Sequence, residues 1–218
     1  MIILKGKTES ELTEQAFSEM KARFACVTVD LGTGDGRNVY RKAKANPDTL
    51  FIGVDPAKDN MTEIAVKLCK KPAKGGLDNV LLVPATAEAL PDMLSGAAQN
   101  VTVLFPWGTL LEGIVKPVGA ILDAVTKAAE DGAGFEFITT YSDRCEENTI
   151  ESRGLPTLST DYFNGPYRDE LLAHGLVVEN VELLDNEYVK NFDSLWAKRL
   201  AFGRKRDFYR ITGTVRKS

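Results

Sequence analysis

The chain has 218 residues, of which 44% are hydrophobic, and this size and composition suit one globular domain with short appendages. No apolar run approaches the roughly 20 residues of a membrane-spanning helix, and the start of the chain becomes charged too early for a signal peptide, so we expect a cytoplasmic protein with no membrane partner. The three cysteines are widely spaced and odd in number, which argues against a disulfide framework and against a metal site. The net charge of −4, taken as a total, argues against a nucleic-acid partner.

Strand-like and helix-like segments alternate along the chain. Short apolar runs that end at turn residues predict buried strands, and apolar residues three or four positions apart predict helices. In chain order, the predicted elements are a strand over 27–31, a helix over 37–44, a strand over 50–54, a helix over 60–68, strands over 80–83 and 101–105, a helix over 118–129, a strand over 135–140, a helix over 162–173, and strands over 177–184 and 208–215.

This alternation predicts an α/β fold with a mostly parallel, seven-stranded sheet and helices on both faces. The last two strands form an antiparallel hairpin, which is compatible with such a sheet. We expect a single domain over 1–218, with a short N-terminal extension over about 1–12. The connection between the last two strands, over about 186–206, is long for a hairpin, and long structured connections are often functional.

A glycine-rich segment, DLGTGDG at 30–36, follows the strand over 27–31 and opens the next helix. Glycines let the backbone turn sharply and approach a ligand without Cβ clashes. The spacing G-x-G-x-G differs from the G-x-G-x-x-G of dinucleotide sites, and it favours S-adenosylmethionine, which carries no pyrophosphate. Asp30 is then placed to meet the ammonium group of that ligand. A glycine cluster by itself is also compatible with a plain tight turn.

Two further strand ends carry residues that suit the rest of that ligand. Asp55 ends the strand over 50–54, and an acid at that position accepts hydrogen bonds from ribose hydroxyls in nucleotide-binding sheets. Ala87 and Glu88 follow the strand over 80–83, where they are placed to face an adenine ring and its amino group. These positions predict a cofactor site in the crevice at the carboxyl ends of the strands.

The only two tryptophans of the chain suggest a site for a nucleic-acid base. Trp107 follows the strand over 101–105, and Trp196 lies in the long connection near the C-terminus. Enzymes that modify a base draw it out of its stack and hold it against aromatic surfaces, and such stacking contributes roughly 1–3 kcal/mol per base. A base sandwiched between the two rings is the functional interpretation; core or surface anchoring is the structural alternative.

Charge is distributed unevenly along the chain. Residues 130–187 contain fourteen acids and three basic residues, whereas residues 198–218 contain eight basic residues and one acid. A second basic cluster comprises Lys67, Lys70, Lys71 and Lys74. Since phosphate attraction fades beyond roughly 8–10 Å, local patches matter more than the total. Each cluster is also compatible with an ordinary solvated helix face.

Six sequence blocks resemble one enzyme family. They are DLGTGDGRN at 30–38, KKPAKGGL at 70–77, FPWGTLL at 105–111, LDNEYVK at 184–190, SLWAKRL at 194–200 and GRKR at 203–206. The chain resembles the aminoglycoside-resistance 16S rRNA (adenine-1408) N1-methyltransferases of the NpmA type, and the resemblance runs from the first strand of the sheet to the C-terminus. One departure is Val66, where a lysine beside Lys67 is expected and where one rRNA contact is therefore in doubt.

The resemblance implies a class I, Rossmann-like methyltransferase that uses S-adenosyl-L-methionine and releases S-adenosyl-L-homocysteine. The implied substrate is the assembled 30S ribosomal subunit, in which adenine 1408 of helix 44 in 16S rRNA is methylated and aminoglycoside resistance follows. The residues implied to hold the base are Trp107, Trp196 and Pro106. The motifs and the resemblance together assign cofactor binding to Asp30, Gly32, Thr33, Gly34, Arg37, Asp55, Pro56, Ala87, Glu88, Leu104, Thr109 and Ser194. They assign rRNA binding to Lys67, Lys70, Lys71, Lys74, Arg199, Arg204, Lys205 and Arg206.

The expected chemistry needs no proton acceptor. Adenine N1 is a neutral lone pair at pH 7, so positioning should carry most of the catalysis, and we expect no general base at His174 or the cysteines. Residue chemistry alone leaves three alternatives, namely a small-molecule methyltransferase, a nicotinamide-dependent oxidoreductase and a non-catalytic RNA-binding protein. The lack of a repeated apolar helix face favours a monomer.

Overall fold

The computed structural model describes residues 1–117, 119–141, 150–190, 192, 195–202 and 206–217, and within the helix over 195–202 it describes the side chains of 197–200. In these parts of the chain, a two-stranded hairpin precedes a seven-stranded sheet. The strands are β1 Ile2–Lys5, β2 Thr8–Glu11, β3 Cys26–Leu31, β4 Thr49–Val54, β5 Val80–Val83, β6 Ala98–Leu104, β7 Ala129–Thr139, β8 Leu176–Leu184 and β9 Phe208–Val215. The helices are α1 Glu14–Lys21, α2 Arg37–Ala45, α3 Lys58–Leu68, α4 Gly108–Val115, α5 Gly119–Ala128, α6 Thr160–Asn164, α7 Pro166–Ala173, α8 Asn186–Lys190 and α9 Leu195–Phe202.

The order of the large sheet is β5-β4-β3-β6-β7-β9-β8. Strands β3 to β7 are parallel, whereas β9 pairs antiparallel with β7 and β8 pairs antiparallel with β9. The predicted sheet with its antiparallel C-terminal hairpin is thereby confirmed. Successive strands are added on one side of β3 up to β5 and then on its other side from β6 onward. Such a switch point leaves a crevice outside the carboxyl ends of the strands, where α/β proteins bind ligands.

Both faces of the sheet are apolar, because successive residues of a strand point to opposite sides. In β4, Ile52 packs into the larger core, which receives side chains from α1, α5 and α7. Its neighbour Phe51 packs into a second core with side chains from α2 and α3, such as Val39 and Ile64. The helices therefore cover both faces, and the connections that follow β3, β4 and β5 meet at one edge.

The predicted helix over 162–173 is in fact two helices, α6 and α7. Proline has no backbone N–H and disfavours the helical conformation in the residue before it, and Gly165, which precedes Pro166, has φ −93° and ψ −136°. Ser159 is the N-cap of α6, and its hydroxyl accepts a hydrogen bond from the Tyr162 amide at 3.0 Å. The left-handed Gly175, at φ 78°, follows α7 as predicted.

The N-terminal residues form the hairpin β1–β2, which lies against α3 and β5. Leu4 of β1 is buried in the core that α2 and α3 share. At the start of α3, the Lys58 ammonium lies 2.8 Å from a carboxylate oxygen of Glu9. Apolar burial and this ion pair attach the hairpin to the helix.

The connection between β8 and β9 carries α8 and α9 and lies on the carboxyl end of the sheet. Its apolar side chains, including Val189, Phe192 and Leu200, form a separate buried cluster with Phe105 and Phe208 of the sheet. The connection is thereby placed next to the segment that follows β6. No helix among the described residues is long and apolar enough to cross a membrane.

Candidate functional site

A cavity of about 600 Å³ opens at the carboxyl ends of β3, β4, β5 and β6. Its wall is formed by the segments that follow these four strands and by residues of the β8–β9 connection. Of the residues predicted to bind the cofactor, those that line the cavity are Asp30, Gly32, Thr33, Gly34, Asp55, Pro56, Ala87, Glu88, Leu104 and Thr109. Arg37 does not line it, because its guanidinium is turned to Glu63 at 2.5 Å and to Asp35 at 3.6 Å. Ser194 lies outside the described residues.

The glycine-rich segment is held in a tight turn above β3. Gly32 has φ 77°, and a Cβ atom at this position would lie 2.4 Å from Cδ2 of Leu110. The left-handed backbone favours glycine here, and any larger residue would also require the Leu110 side chain to move. The Gly34 amide donates a hydrogen bond of 2.9 Å to Asp55, whose other carboxylate oxygen accepts from the Ala57 amide at 2.8 Å. Asp55 thus fixes the position of the glycine turn and still faces the cavity.

Asp30 is a buried carboxyl group at the floor of the cavity, with only 4% of its surface exposed. Burial raises the pKa of Asp30 above its usual range, against the lowering effects of the hydrogen bond that the Thr102 hydroxyl donates and of the positive charge of Lys42. A buried carboxylate is costly unless it is paired with a cation. The site is therefore chemically suited to a ligand that brings its own positive charge.

Two other buried polar atoms point to a polar ligand. The amide oxygen of Asn38 is buried and has no hydrogen-bond partner among the described residues. The hydroxyl oxygen of Thr33 is also buried and accepts no hydrogen bond there, although the hydroxyl lies close enough to the Asp30 carboxyl to help lower its pKa. Both residues line the cavity. Buried polar groups normally find a partner, so two buried oxygen atoms that accept no hydrogen bond beside a cavity fit a bound molecule with donor groups. Together with Asp30 and Asp55, these atoms fit the amino-acid and ribose groups of S-adenosylmethionine.

The segment after β6 brings an aromatic side chain to the mouth of the cavity. β6 ends at Leu104, one residue before the predicted end, because Phe105 turns the backbone with φ 52°. Pro106 is buried, while the Trp107 side chain, at the N-cap position of α4, is 52% exposed and lines the cavity. Trp196 lies on α9, and its side chain is outside the described part of the chain. The relation of the two rings therefore remains a prediction.

The predicted rRNA-binding residues fall into two groups. Lys67 is half-buried at the end of α3, and Lys70, Lys71 and Lys74 are exposed in the loop that follows. Arg199 is exposed on α9 and lines the cavity. The remaining three are Arg206, which is half-buried just before β9, and Arg204 and Lys205, which lie outside the described residues.

Several residues of the cavity wall are missing from the predicted set. Asn38 stands inside a block that carries the resemblance, DLGTGDGRN, yet its buried side chain was assigned no role. Asn60 and Thr86 also line the cavity, and both lie within a few residues of predicted ligands. Phe192 reaches the wall through the folding of the β8–β9 connection. Polar residues close to strand ends are a usable signal in the sequence, whereas a distant phenylalanine carries none.

The sheet order, the glycine turn and the acidic residues at the crevice define a class I, Rossmann-like methyltransferase. The model of one family, the NpmA 16S rRNA (adenine(1408)-N(1))-methyltransferases, matches residues 2–215. The chain belongs to this family, which uses S-adenosylmethionine, and the predicted resemblance, fold class and cofactor are thus confirmed.

Relatives of this family match the chain over its whole length. A 16S rRNA (adenine(1408)-N(1))-methyltransferase of Escherichia coli is 51% identical over 218 residues, and the match covers 100% of both chains. An enzyme of the same name from Streptoalloteichus tenebrarius is 33% identical over 96% of this chain and 97% of its own. Among solved structures, a mutant of the Catenulisporales acidiphilia enzyme with cosubstrate SAM has 35% identity and a TM-score of 0.91, with coverage of 100% and 97%. The 16S rRNA methyltransferase KamB has 31% identity and a TM-score of 0.91, with 100% of both chains covered.

Proposed function

We propose that this protein transfers a methyl group from S-adenosylmethionine to N1 of adenine 1408 in helix 44 of 16S rRNA, within the assembled 30S subunit, and so confers aminoglycoside resistance. The observation that carries the proposal is the half-exposed Trp107 at the mouth of a cavity whose floor holds the buried Asp30. An aromatic face beside an S-adenosylmethionine site is suited to a flipped base. The full-length similarity to enzymes named for this reaction supports the particular base.

The residues at the strand ends hold the cofactor. Asp30 pairs with its ammonium group, and Asp55 accepts hydrogen bonds from the ribose hydroxyls while it fixes the glycine turn through Gly34. Ala87 and Glu88 lie against the adenine ring and its amino group. When bound, S-adenosylmethionine supplies an electrophilic methyl group on a sulfonium. The other predicted ligands that complete the binding site are Gly32, Thr33, Pro56, Leu104, Thr109 and Ser194, whereas Arg37 is turned to Glu63.

The protein contributes to the transfer mainly by positioning the base. Adenine N1 presents a lone pair, so the site needs no group to remove a proton before attack. Trp107 and Trp196 stack on the flipped base and tolerate the positive charge that develops on it, while Pro106 restricts the loop that carries Trp107. His174 takes no part, since its ring pairs with Asp123 at 2.7 Å at the end of α7.

Basic residues dock the enzyme on its substrate. Lys70, Lys71 and Lys74 lie exposed on one loop, while Arg199 lies beside the cavity. Contacts to phosphates orient a protein on nucleic acid without reading its sequence, so these groups place the cavity over the target base. Lys67, Arg204, Lys205 and Arg206 extend the same contact. Because an assembled ribosomal subunit is the substrate, we expect the protein to act in the cytoplasm, and to act as a monomer.

The proposal is tested by primer extension on purified 30S subunits after incubation with the protein and S-adenosylmethionine. N1-methyladenine blocks base pairing, so reverse transcription should stop at adenine 1408. Absence of that stop would refute the proposed substrate. A K70E/K71E double variant that stays fully active would instead favour a small-molecule methyltransferase. Binding of NAD in preference to S-adenosylhomocysteine would favour an oxidoreductase.

A further inference from the structure

The turn of the N-terminal hairpin carries two lysines that have no part in the cofactor site. Lys5 and Lys7 flank Gly6, which has φ 64°, and the Thr8 hydroxyl donates a hydrogen bond of 3.2 Å to the Lys5 carbonyl oxygen. Both lysine side chains are exposed. The turn is therefore a compact structure that presents two ammonium groups to solvent.

This turn lies next to the basic loop at the end of α3. A Cβ atom at Gly6 would be 4.0 Å from the sulfur of Cys69, the residue directly before Lys70. The hairpin is attached to α3 by the burial of Leu4 with Met61 and Ile64, and by the Lys58–Glu9 ion pair at the other end of the helix. Its position beside the loop is thus fixed by packing along the length of α3.

We call the six lysines of the hairpin turn, the end of α3 and the following loop the basic face. They are Lys5, Lys7, Lys67, Lys70, Lys71 and Lys74. None of them forms an ion pair with a side chain in the described ranges, whereas the acids Glu9 and Asp78, on the same elements or next to them, are paired with Lys58 and Arg23. The positive charge of this surface is therefore uncompensated within those ranges.

A surface of this kind fits a polyanion. The six lysines lie on the hairpin turn, at the end of α3 and in the loop after it, and the hairpin turn packs beside Cys69, the residue before Lys70. The ammonium of Lys67 is held over the Tyr40 ring at 4.1 Å from its centroid. Lysine ammonium groups are compact point charges that bind phosphates without a fixed geometry. Phosphate contacts of this kind release counterions, so their contribution depends strongly on salt.

We propose that Lys5 and Lys7 belong to the surface that docks on the 30S subunit, where they contact rRNA phosphates beside those bound by Lys70 and Lys71. This inference rests on the proposed function, and it assigns the N-terminal hairpin a role in substrate binding. The hairpin turn contributes affinity and orientation, and it takes no part in cofactor binding or methyl transfer.

The test compares two double charge reversals in the full-length protein. K5E/K7E changes the hairpin turn, and the hairpin lies against β5. R216E/K217E makes the same change in charge directly after β9, which is five positions away from β5 in the strand order. Arg216 and Lys217 are exposed and follow the end of β9 that lies away from the cavity. Binding to purified 30S subunits is measured between about 50 and 200 mM salt, a range over which several phosphate contacts together lose about 10³–10⁵ in affinity. Thermal midpoint and S-adenosylhomocysteine affinity are measured for every variant.

We expect K5E/K7E to bind 30S subunits about tenfold more weakly at low salt. The slope of log affinity against log salt concentration should be less steep by about one to two, since each phosphate contact contributes roughly 0.7–0.9 to this slope. The R216E/K217E control should bind with an affinity within about twofold of the wild type, because salt screens charges that lie far from the contact. Thermal midpoint and S-adenosylhomocysteine affinity should not change in either variant.

If K5E/K7E binds 30S subunits with the affinity and salt dependence of the wild type, the hairpin is not part of the docking surface. If the control loses as much affinity as K5E/K7E, the effect is one of total charge and the proposal also fails. A K5Q/K7Q variant gives the same decision without added repulsion, should the reversal lower the thermal midpoint. A wild-type protein that does not bind 30S subunits would overturn the proposed function as well, so the two failures are distinguishable.

Discussion

The hydroxyl group of Tyr40 donates a hydrogen bond of 2.8 Å to the carbonyl oxygen of Gly75. Tyr40 lies on α2, whereas Gly75 lies in the basic loop between α3 and β5. This hydrogen bond anchors the loop. The loop is also tightly folded, because a Cβ atom at Gly76 would lie 1.7 Å from the carbonyl oxygen of Lys70. The ring of Tyr40 also carries the Lys67 ammonium. One tyrosine thus organises the lysines on both sides of the α3 end.

Replacing Tyr40 by phenylalanine should weaken 30S binding about two- to tenfold, because a hydrogen bond contributes roughly 0.5–1.5 kcal/mol net and its loss frees the loop. The phenylalanine ring keeps the contact with Lys67, so Y40L should lose more affinity than Y40F. Filter binding of 30S subunits measures both, with S-adenosylhomocysteine affinity as the control. Wild-type binding by Y40F would show that the loop keeps its position without the hydroxyl.

The buried Asp30 should destabilise the protein in the absence of cofactor. Burial raises its pKa in the folded state, and a carboxyl whose pKa is higher folded than unfolded costs stability once it is ionised. The cost is absent below the unfolded pKa and fully present above the folded pKa. We therefore expect D30N to raise the thermal midpoint of the ligand-free protein at neutral pH, by about 2–4 °C for each kcal/mol recovered. A lower midpoint in a calorimetric scan would contradict this account.

The same carboxyl predicts how cofactor binding depends on pH. The ammonium of the ligand favours the ionised form of Asp30, so affinity for S-adenosylhomocysteine should fall as the pH is lowered through the raised pKa of Asp30. In D30N the affinity should be about 10–100-fold weaker, since hydrogen bonds to charged groups contribute roughly 1.5–3 kcal/mol, and the acid-side decline should disappear. Isothermal titrations at a series of pH values, from neutral downwards, decide the point. An unchanged decline in D30N would assign it to another group.

Replacing Trp107 by alanine should reduce methylation of 30S subunits by about 10–100-fold, because stacking contributes roughly 1–3 kcal/mol per base. Binding to the subunit should change less than about threefold, since phosphate contacts position the protein. W107F keeps an aromatic face at the cavity mouth and should recover part of the activity. Single-turnover methylation and binding are measured on the same preparations. A parallel loss of binding and methylation would argue against base capture.

Phe192 should act as a positioning residue for the loop that carries Trp107. Its ring meets the edge of Phe105 at 5.0 Å and 85°, and Phe105 holds a left-handed backbone conformation that costs a bulky residue roughly 1–2 kcal/mol. We expect F192A to lower the turnover rate about tenfold at saturating 30S subunits, because packing no longer holds that conformation.

The matched control is F135L, a change in the main core away from this loop. It should lower the thermal midpoint and leave turnover unchanged at a temperature where the protein is folded. F192L should restore part of the turnover that F192A loses. If F135L lowers turnover as much as F192A does, general destabilisation explains both.

Most of the fold was predictable because strand and helix periodicities are local. The strands from 27–31 to 208–215 were found within about three residues, except that β7 begins at Ala129 and not at 135. The antiparallel pairing of the last two followed from their place in the chain. The break between α6 and α7 was missed, although Gly165 and Pro166 signal it in the sequence. The N-terminal hairpin was left open, since its strands are short and Thr8–Glu11 is largely polar.

Residue types at fixed spacing were enough to predict the class of fold, the glycine turn with its acids at the strand ends, and the family. Three features of the site became visible only in the folded chain: Asp30 is buried and costly, Arg37 turns away from the cavity, and Phe192 supports Phe105. The same is true of the hairpin turn, which packs beside Cys69 at the end of α3. Burial and contacts between distant segments depend on how the whole chain packs, and no local spacing encodes them.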